Sequence, residues 1–219
     1  CGFTIAPCRR KDRDLNMQNL TKVEGMPYKA LKKGIDWNYN TYAEYLKLLE
    51  NKNLSINIAS YIGHSALRIW CMGEDAMKRK AKEEEIIEME NIVKKAMQNG
   101  AIGFATSTFE GHNGANGIPM PSRFACKNEL KRLVAAMACQ GRGIFMITKS
   151  NEDNIKDVAS ILGSSKRPAM IAPILFNPMK KNWAINSLND IHKAQQDGFE
   201  IWGQVSCRPL TMEFTMQEP

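Results

Sequence analysis

From residue 42 onward the chain repeats one grammar, and that repetition restricts the fold more than any other feature. A polar amphipathic stretch ends in glycine, and a short apolar run follows. Lys82 to Asn99 places Ile86, Met89, Val93 and Met97 on one helical face, with charges opposite. Gly100 closes it as a left-handed cap would. Residues 101–106 (AIGFAT) then read as a buried strand. A helix over 127–140 ends at Gly141, and a strand over 143–148 follows. Ser150 with Asp153 three residues on, an acidic variant of the capping box, starts a helix that runs to Leu162 and Gly163. The next strand covers 169–175; a helix over 187–197 ends at Gly198 before a last strand at 199–205. Upstream, 42–50 reads as helix and 56–62 as strand.

Strands separated by helices run the same way and pair in parallel. Their near-continuous apolar character means burial on both faces, which parallel sheets require. The fold class is therefore α/β. The spacing suits part of a (β/α)8 TIM-like barrel; an open doubly wound sheet is the alternative, although no glycine-rich phosphate turn follows any strand. Five strands cannot close an eight-stranded barrel, and the chain opens at Cys1 rather than at Met. Residues 1–219 are thus expected to be the central part of one barrel domain, about strands two to seven, with both ends missing.

Charge narrows the partners. Thirty Lys and Arg against 23 Asp and Glu give a net +7. The excess is scattered, in Arg9-Arg10-Lys11, Lys32-Lys33, Lys78-Arg79-Lys80 and Lys180-Lys181, and no aromatic residues interleave with it. That pattern is a solvated surface rather than a nucleic-acid stripe. No apolar run reaches the roughly 20 residues that span a bilayer. The six cysteines form no C-x-x-C pair, so zinc-ribbon and disulfide-scaffold readings fail. Reduced cysteines and a cytoplasmic setting are expected.

In a barrel the C-terminal strand ends build the site. His64, after Gly63 at the first strand end, is the best single candidate, and Arg68 four residues on suits a carboxylate. Ser107, Lys149 and Arg208 follow later strands and complete the expected substrate-binding set. His112, in the loop 111–117 (GHNGANG), reads as an exposed loop histidine, and His192 as helix surface. Cys1 could ligate a metal as thiolate, although a buried structural cysteine is the commoner case. Cys1, His64, Ser107, Lys149 and Arg208 are expected at one edge of the sheet.

Four segments resemble the N-acyl-D-amino-acid deacylases (D-aminoacylases) of the amidohydrolase superfamily. They are residues 1–8 (CGFTIAPC), 62–68 (IGHSALR) with Met72-Gly73, 100–107 (GAIGFATS) and 204–210 (QVSCRPL). They come in the family's order and span most of the chain. The resemblance implies a metal-dependent amidohydrolase barrel in which Zn²⁺, or another divalent metal, activates water against an N-acyl amide. The implied partner is a small-molecule N-acyl substrate, an N-acyl-D-amino acid being the family's type, with no nucleic acid and no membrane. Cys1 matches the family's ligand on the second strand. The resemblance places the family's first metal-binding element, a His-x-His, before Cys1 and its catalytic Asp after Pro219, so the catalytic residues are expected outside the chain. Two departures fall inside it. Thr148 stands near the place of a ligating histidine, and residues 166–178 contain no histidine. The alternative function is a catalytically inert barrel with a binding or assembly role.

Overall fold

A computed structural model describes residues 2–209. Three helices come first: α1 (Arg13–Val23), α2 (Tyr28–Gly34) and α3 (Tyr42–Glu50). Alternating elements follow: β1 (Ile62–Gly63), α4 (His64–Met72), α5 (Glu83–Gln98), β2 (Gly103–Ser107), α6 (Lys127–Ala138), β3 (Ile144–Thr148), α7 (Ile155–Leu162), β4 (Ala169–Ile171), α8 (Trp183–Gln196) and β5 (Ile201–Gly203). The five strands form one parallel sheet in the sequential order β1-β2-β3-β4-β5. Each helix from α4 onward packs against the next, so together they form one layer.

The register explains why that layer has a single core. Ile62, Phe104, Phe145, Ala169 and Ile201 align across all five strands, and all five are fully buried. Phe104 and Phe145 stack with centroids 6.1 Å apart. Under them lie Met89, Val93 and Met97 of α5 and Leu133 and Met137 of α6. The next row, Gly63, Ala105, Met146, Met170 and Trp202, points to the opposite face, because successive strand side chains alternate. A smaller cluster of Met17, Leu20 and Leu31 joins α1 to α2.

Several elements differ from the pattern read along the sequence. The strand expected over 56–62 pairs only at Ile62 and Gly63; Ile56 is 72% exposed, with no neighbouring strand to bury it. His64 does not sit in a strand-end turn but opens helix α4. Ser150 Oγ does accept from the Asp153 N–H at 2.9 Å, yet the helix starts later. Its capping box is Asn154 with Asp157, and α7 begins at Ile155. The strand at 169–175 stops at Ile171, two residues before Pro173, which has no N–H to donate. Helices α1 and α2 have weak apolar periodicity and are additions to the sequence reading.

Candidate active site

The C-terminal ends of β2, β3 and β4 open onto a cavity of about 570 Å³. Thr148 and Lys149 come from the end of β3, Ile171 to Pro173 from β4, and Phe109 and His112 from the loop after β2. Leu175, Phe176 and Trp183 supply apolar wall. This is the edge at which parallel α/β folds bind ligands.

Lys149 brings the charge. Its Nζ donates to the carbonyl of Asp153 at 2.8 Å and of Ser150 at 3.2 Å. It also stands 5.7 Å from the centre of the Trp183 ring. Burial pulls its pKa below the ordinary lysine value, and the carboxylates of Asp153, Glu110 and Asp190 resist that shift. An ammonium held by two carbonyls keeps a third donor for an anionic ligand.

His112 brings the imidazole. Its Nδ1 is 2.6 Å from Ser107 Oγ, and the rings of Phe3 and Phe109 meet it edge-on at 4.9 and 5.1 Å. Burial first, then the positive charges of the chain's amino terminus and of Arg123, lower its pKa to about 4, so the ring is neutral at physiological pH. The loop that carries it is braced. Arg123 donates to Asn113 Oδ1 at 2.6 Å, and Asn19 accepts from the Ala115 N–H at 3.2 Å. A Cβ at Gly111 would lie 2.5 Å from the Phe109 ring, so the fold-back after β2 depends on glycine there. The sequence reading took His112 for an exposed loop residue. The signal that could have found it is Ser107 five positions earlier, at the end of an apolar strand.

His64 and Arg68 sit elsewhere. Both are fully buried with Glu129 of α6. Arg68 Nη1 reaches both Glu129 oxygens at 2.6 Å, and His64 Nε2 is 2.8 Å from Oε1. Burial lowers the His64 pKa, and its neutral ring has one coherent arrangement. Nε2–H donates to the carboxylate, and Nδ1 accepts from Thr106 Oγ1 at 2.7 Å. Burial opposes the charge on Glu129, but its contacts with His64 and Arg68 hold its pKa below the usual value. Thr106 belongs to the row facing the helices and Ser107 to the row facing the cavity. The substrate-binding role expected for His64 and Arg68 is therefore corrected: they lock the sheet to α4 and α6 and do not line the cavity. Arg208 lies five residues past β5, exposed and away from the cavity wall. Of the expected set, Ser107 and Lys149 come to this edge. Cys1 lies outside the described residues.

Among the described residues, no group of three His, Cys, Asp or Glu side chains could hold a metal ion. The ends of β3 and β4 present Thr148 and Ile171, and both ring nitrogens of His64 are already engaged. The described residues do not fit a complete metal centre. No helix among them is long and apolar enough to cross a membrane.

No family model matches the chain. Over 164 residues it is 38% identical to the N-acyl-D-glutamate deacylase of Alcaligenes xylosoxydans xylosoxydans, covering 73% of this chain and 31% of that protein. Over 109 residues it is 30% identical to the D-aminoacylase of the same organism, covering 50% of this chain and 20% of that one. The chain thus spans between a fifth and a third of these relatives' length. A crystal structure of D-aminoacylase, described as defining a novel subset of amidohydrolases, superposes with a TM-score of 0.67 at 19% identity, over 93% of this chain and 40% of that one. The N-acyl-D-glutamate deacylase of Bordetella bronchiseptica, solved with zinc and a phosphonate inhibitor, gives 0.61 at 22% identity over 74% and 33%. At these identities the structural likeness speaks for the fold alone.

Proposed function

The chain belongs to the D-aminoacylase family of amidohydrolases, and from that premise we propose that the intact protein hydrolyses an N-acyl amide whose amino-acid part carries a carboxylate. One observation carries the reading. The cavity at the C-terminal strand ends combines a half-buried ammonium, Lys149, and an exposed one, Lys180, with apolar walls from Phe109, Leu175 and Phe176. Lys149 anchors the carboxylate, and the apolar wall takes the acyl chain or the side chain and keeps water off the ion pair, strengthening it. The sequential strand order and the one-sided helix layer support residues 1–219 as an arc of one (β/α)8 barrel; a doubly wound sheet would reverse its strand order at a switch point.

The Bordetella relative holds zinc, and a divalent metal belongs to this proposal. It would draw on Cys1 and on ligands other than residues 2–209, since those do not compose a site. Thr148 and Ile171 at the ends of β3 and β4 favour a second reading, a barrel that binds N-acyl amino acids without hydrolysing them.

Amine release by the intact protein from N-acetyl-D-glutamate, N-acetyl-D-leucine and their L forms separates the two. Hydrolysis of a D form is expected. Lys149→Met should raise KM about tenfold or more, the size of a lost charge-assisted hydrogen bond, and leave kcat nearly unchanged. Metal analysis beside the Cys1→Ala variant tests the ligand. Binding of substrate with no amine release, in protein that retains metal, would establish the inert reading instead.

A further inference from the structure

Ser107 and His112 form a polar pair on the cavity side that the proposed chemistry leaves unused, and their hydrogen bonds can be counted. Ser107 Oγ has three neighbours: His112 Nδ1 at 2.6 Å, the Phe109 N–H at 3.2 Å and the Thr148 carbonyl at 3.3 Å. A hydroxyl has one proton and two lone pairs. The Phe109 N–H fills one lone pair. If the hydroxyl proton went to Nδ1, the contact with the Thr148 carbonyl would be unmade and one lone pair would stay empty. If Nδ1 instead carries the proton and donates to Oγ, the hydroxyl proton is free for Thr148, and all three bonds form together. That arrangement satisfies a serine that is fully buried, where an unmade bond is costly.

A neutral imidazole protonated at Nδ1 has a bare lone pair at Nε2. Among the described residues Nε2 has no hydrogen-bond partner, and the ring lines the cavity. Phe3 and Phe109 clamp the ring edge-on, so it cannot swing Nε2 away. Burial disfavours the charged ring, which leaves the lone pair available.

We propose that His112 Nε2 is a fixed hydrogen-bond acceptor that takes the amide N–H of the bound substrate, with Ser107 as the positioning residue that sets its tautomer. The ligand class is then narrower than N-acyl amino acids in general: secondary amides, whose nitrogen bears a hydrogen, are accepted, and N-alkylated or proline-type amides are disfavoured. This assignment rests on the N-acyl substrate reading above.

The test uses the intact protein with N-acetyl-D-glutamate and its N-methyl counterpart. Binding is followed by titration calorimetry, and the His112 ring is followed by nitrogen-15 NMR. A ring protonated at Nδ1 and bare at Nε2 is expected, with that bias weakened in Ser107→Ala. Wild-type protein should bind the N–H ligand about five- to tenfold more tightly than the N-methyl one, the worth of one neutral hydrogen bond. His112→Phe should erase the difference by weakening only the N–H ligand. A ring protonated at Nε2 overturns the proposal, and so does a His112→Phe variant that weakens both ligands alike. Wild-type protein that binds neither ligand sinks the N-acyl substrate reading, and the observed tautomer then decides the acceptor by itself.

Discussion

Glu129 shows how much one side chain can hold in place. Among the described residues its carboxylate is the only anion paired with Arg68 and His64 in a fully buried network, so removing it takes away the guanidinium's counter-charge. Breaking a buried pair from one side costs about 3–5 kcal/mol, whereas replacing both partners with apolar residues can be near neutral. Glu129→Gln should therefore destabilise the intact protein by that amount in urea titration, and Arg68→Met with Glu129→Leu should restore most of it. Equal losses in the single and double variants would mean that packing, not charge, carries the site. The histidines add a pH dependence. An unfolded imidazole takes up a proton below about 6.5, but folded His112 resists down to about 4, and His64 shifts the same way. Between those values the unfolded chain binds more protons, so stability is full above about 6.5 and falls as the pH drops toward 4. His112 is partly exposed, so solvent screening cuts its share to about 1 kcal/mol at about pH 5. The wild type should lose that much more than His112→Phe between about pH 7.5 and pH 5, and parallel losses would refute it. The sequence exposes the residue types but not these partnerships. Glu129 comes 65 positions after His64, and nothing local pairs them.

Among the elements, β2 divides structure from site by a single step. Thr106 points to the helix layer and meets His64, while Ser107 points to the cavity and meets His112. Because the strand period is two, a one-residue slip would exchange the two roles. Gly103 guards the register at the start of the strand, where an added Cβ would lie 1.9 Å from the Ile144 carbonyl oxygen of β3. Gly103→Ala should cost about 3 kcal/mol, the upper end for overpacking, and should disturb the His112 NMR signals as the register moves. Gly34→Ala, in helix α2 with nothing within 4 Å, serves as the contrast and should be neutral or gain up to about 1 kcal/mol. Equal effects at the two positions would contradict the close approach at β3. The helices α5 and α6 and the strands β2 and β3 are legible in sequence, because the helices are long enough to show their period and run into Gly100 and Gly141, and the strands are the apolar runs that follow those glycines. Residues 56–61 are not, since Ile56 and Ile58 carry strand propensity without a neighbouring strand to pair with. α4 is hidden for the opposite reason: it follows Gly63 with no spacer, so His64 reads as a turn.

The sheet is covered by helices on one side, while on the other only the β1 and β2 end, where Gly63 and Ala105 are buried, is covered. Helices bury the row through Phe104 and Phe145, while Met146 and Met170 on the opposite face are only half-buried and Trp202 is 57% exposed. An exposed tryptophan in line with two methionines, on the last strand of the sheet among the described residues, is an apolar patch of the kind that promotes association, and it is the face that the proposed barrel would close over. The alternation of strands and helices predicts the parallel sheet, but it is silent about strand order and closure, because a doubly wound sheet, an arc and a complete barrel share the same local pattern. Closure is testable through Trp202 itself. Residues 1–219 produced alone should bind an apolar dye and associate at micromolar concentration, and the emission assigned to Trp202 by difference against Trp202→Phe should be readily quenched by acrylamide. In the intact protein the same difference signal should shift to the blue and resist quenching, because the remaining strands would bring their own side chains over that face and exclude water from it. Equal quenching in both forms would mean that the second face stays open, and the closed-barrel reading, together with the dry cavity it provides for Lys149 and His112, would fall.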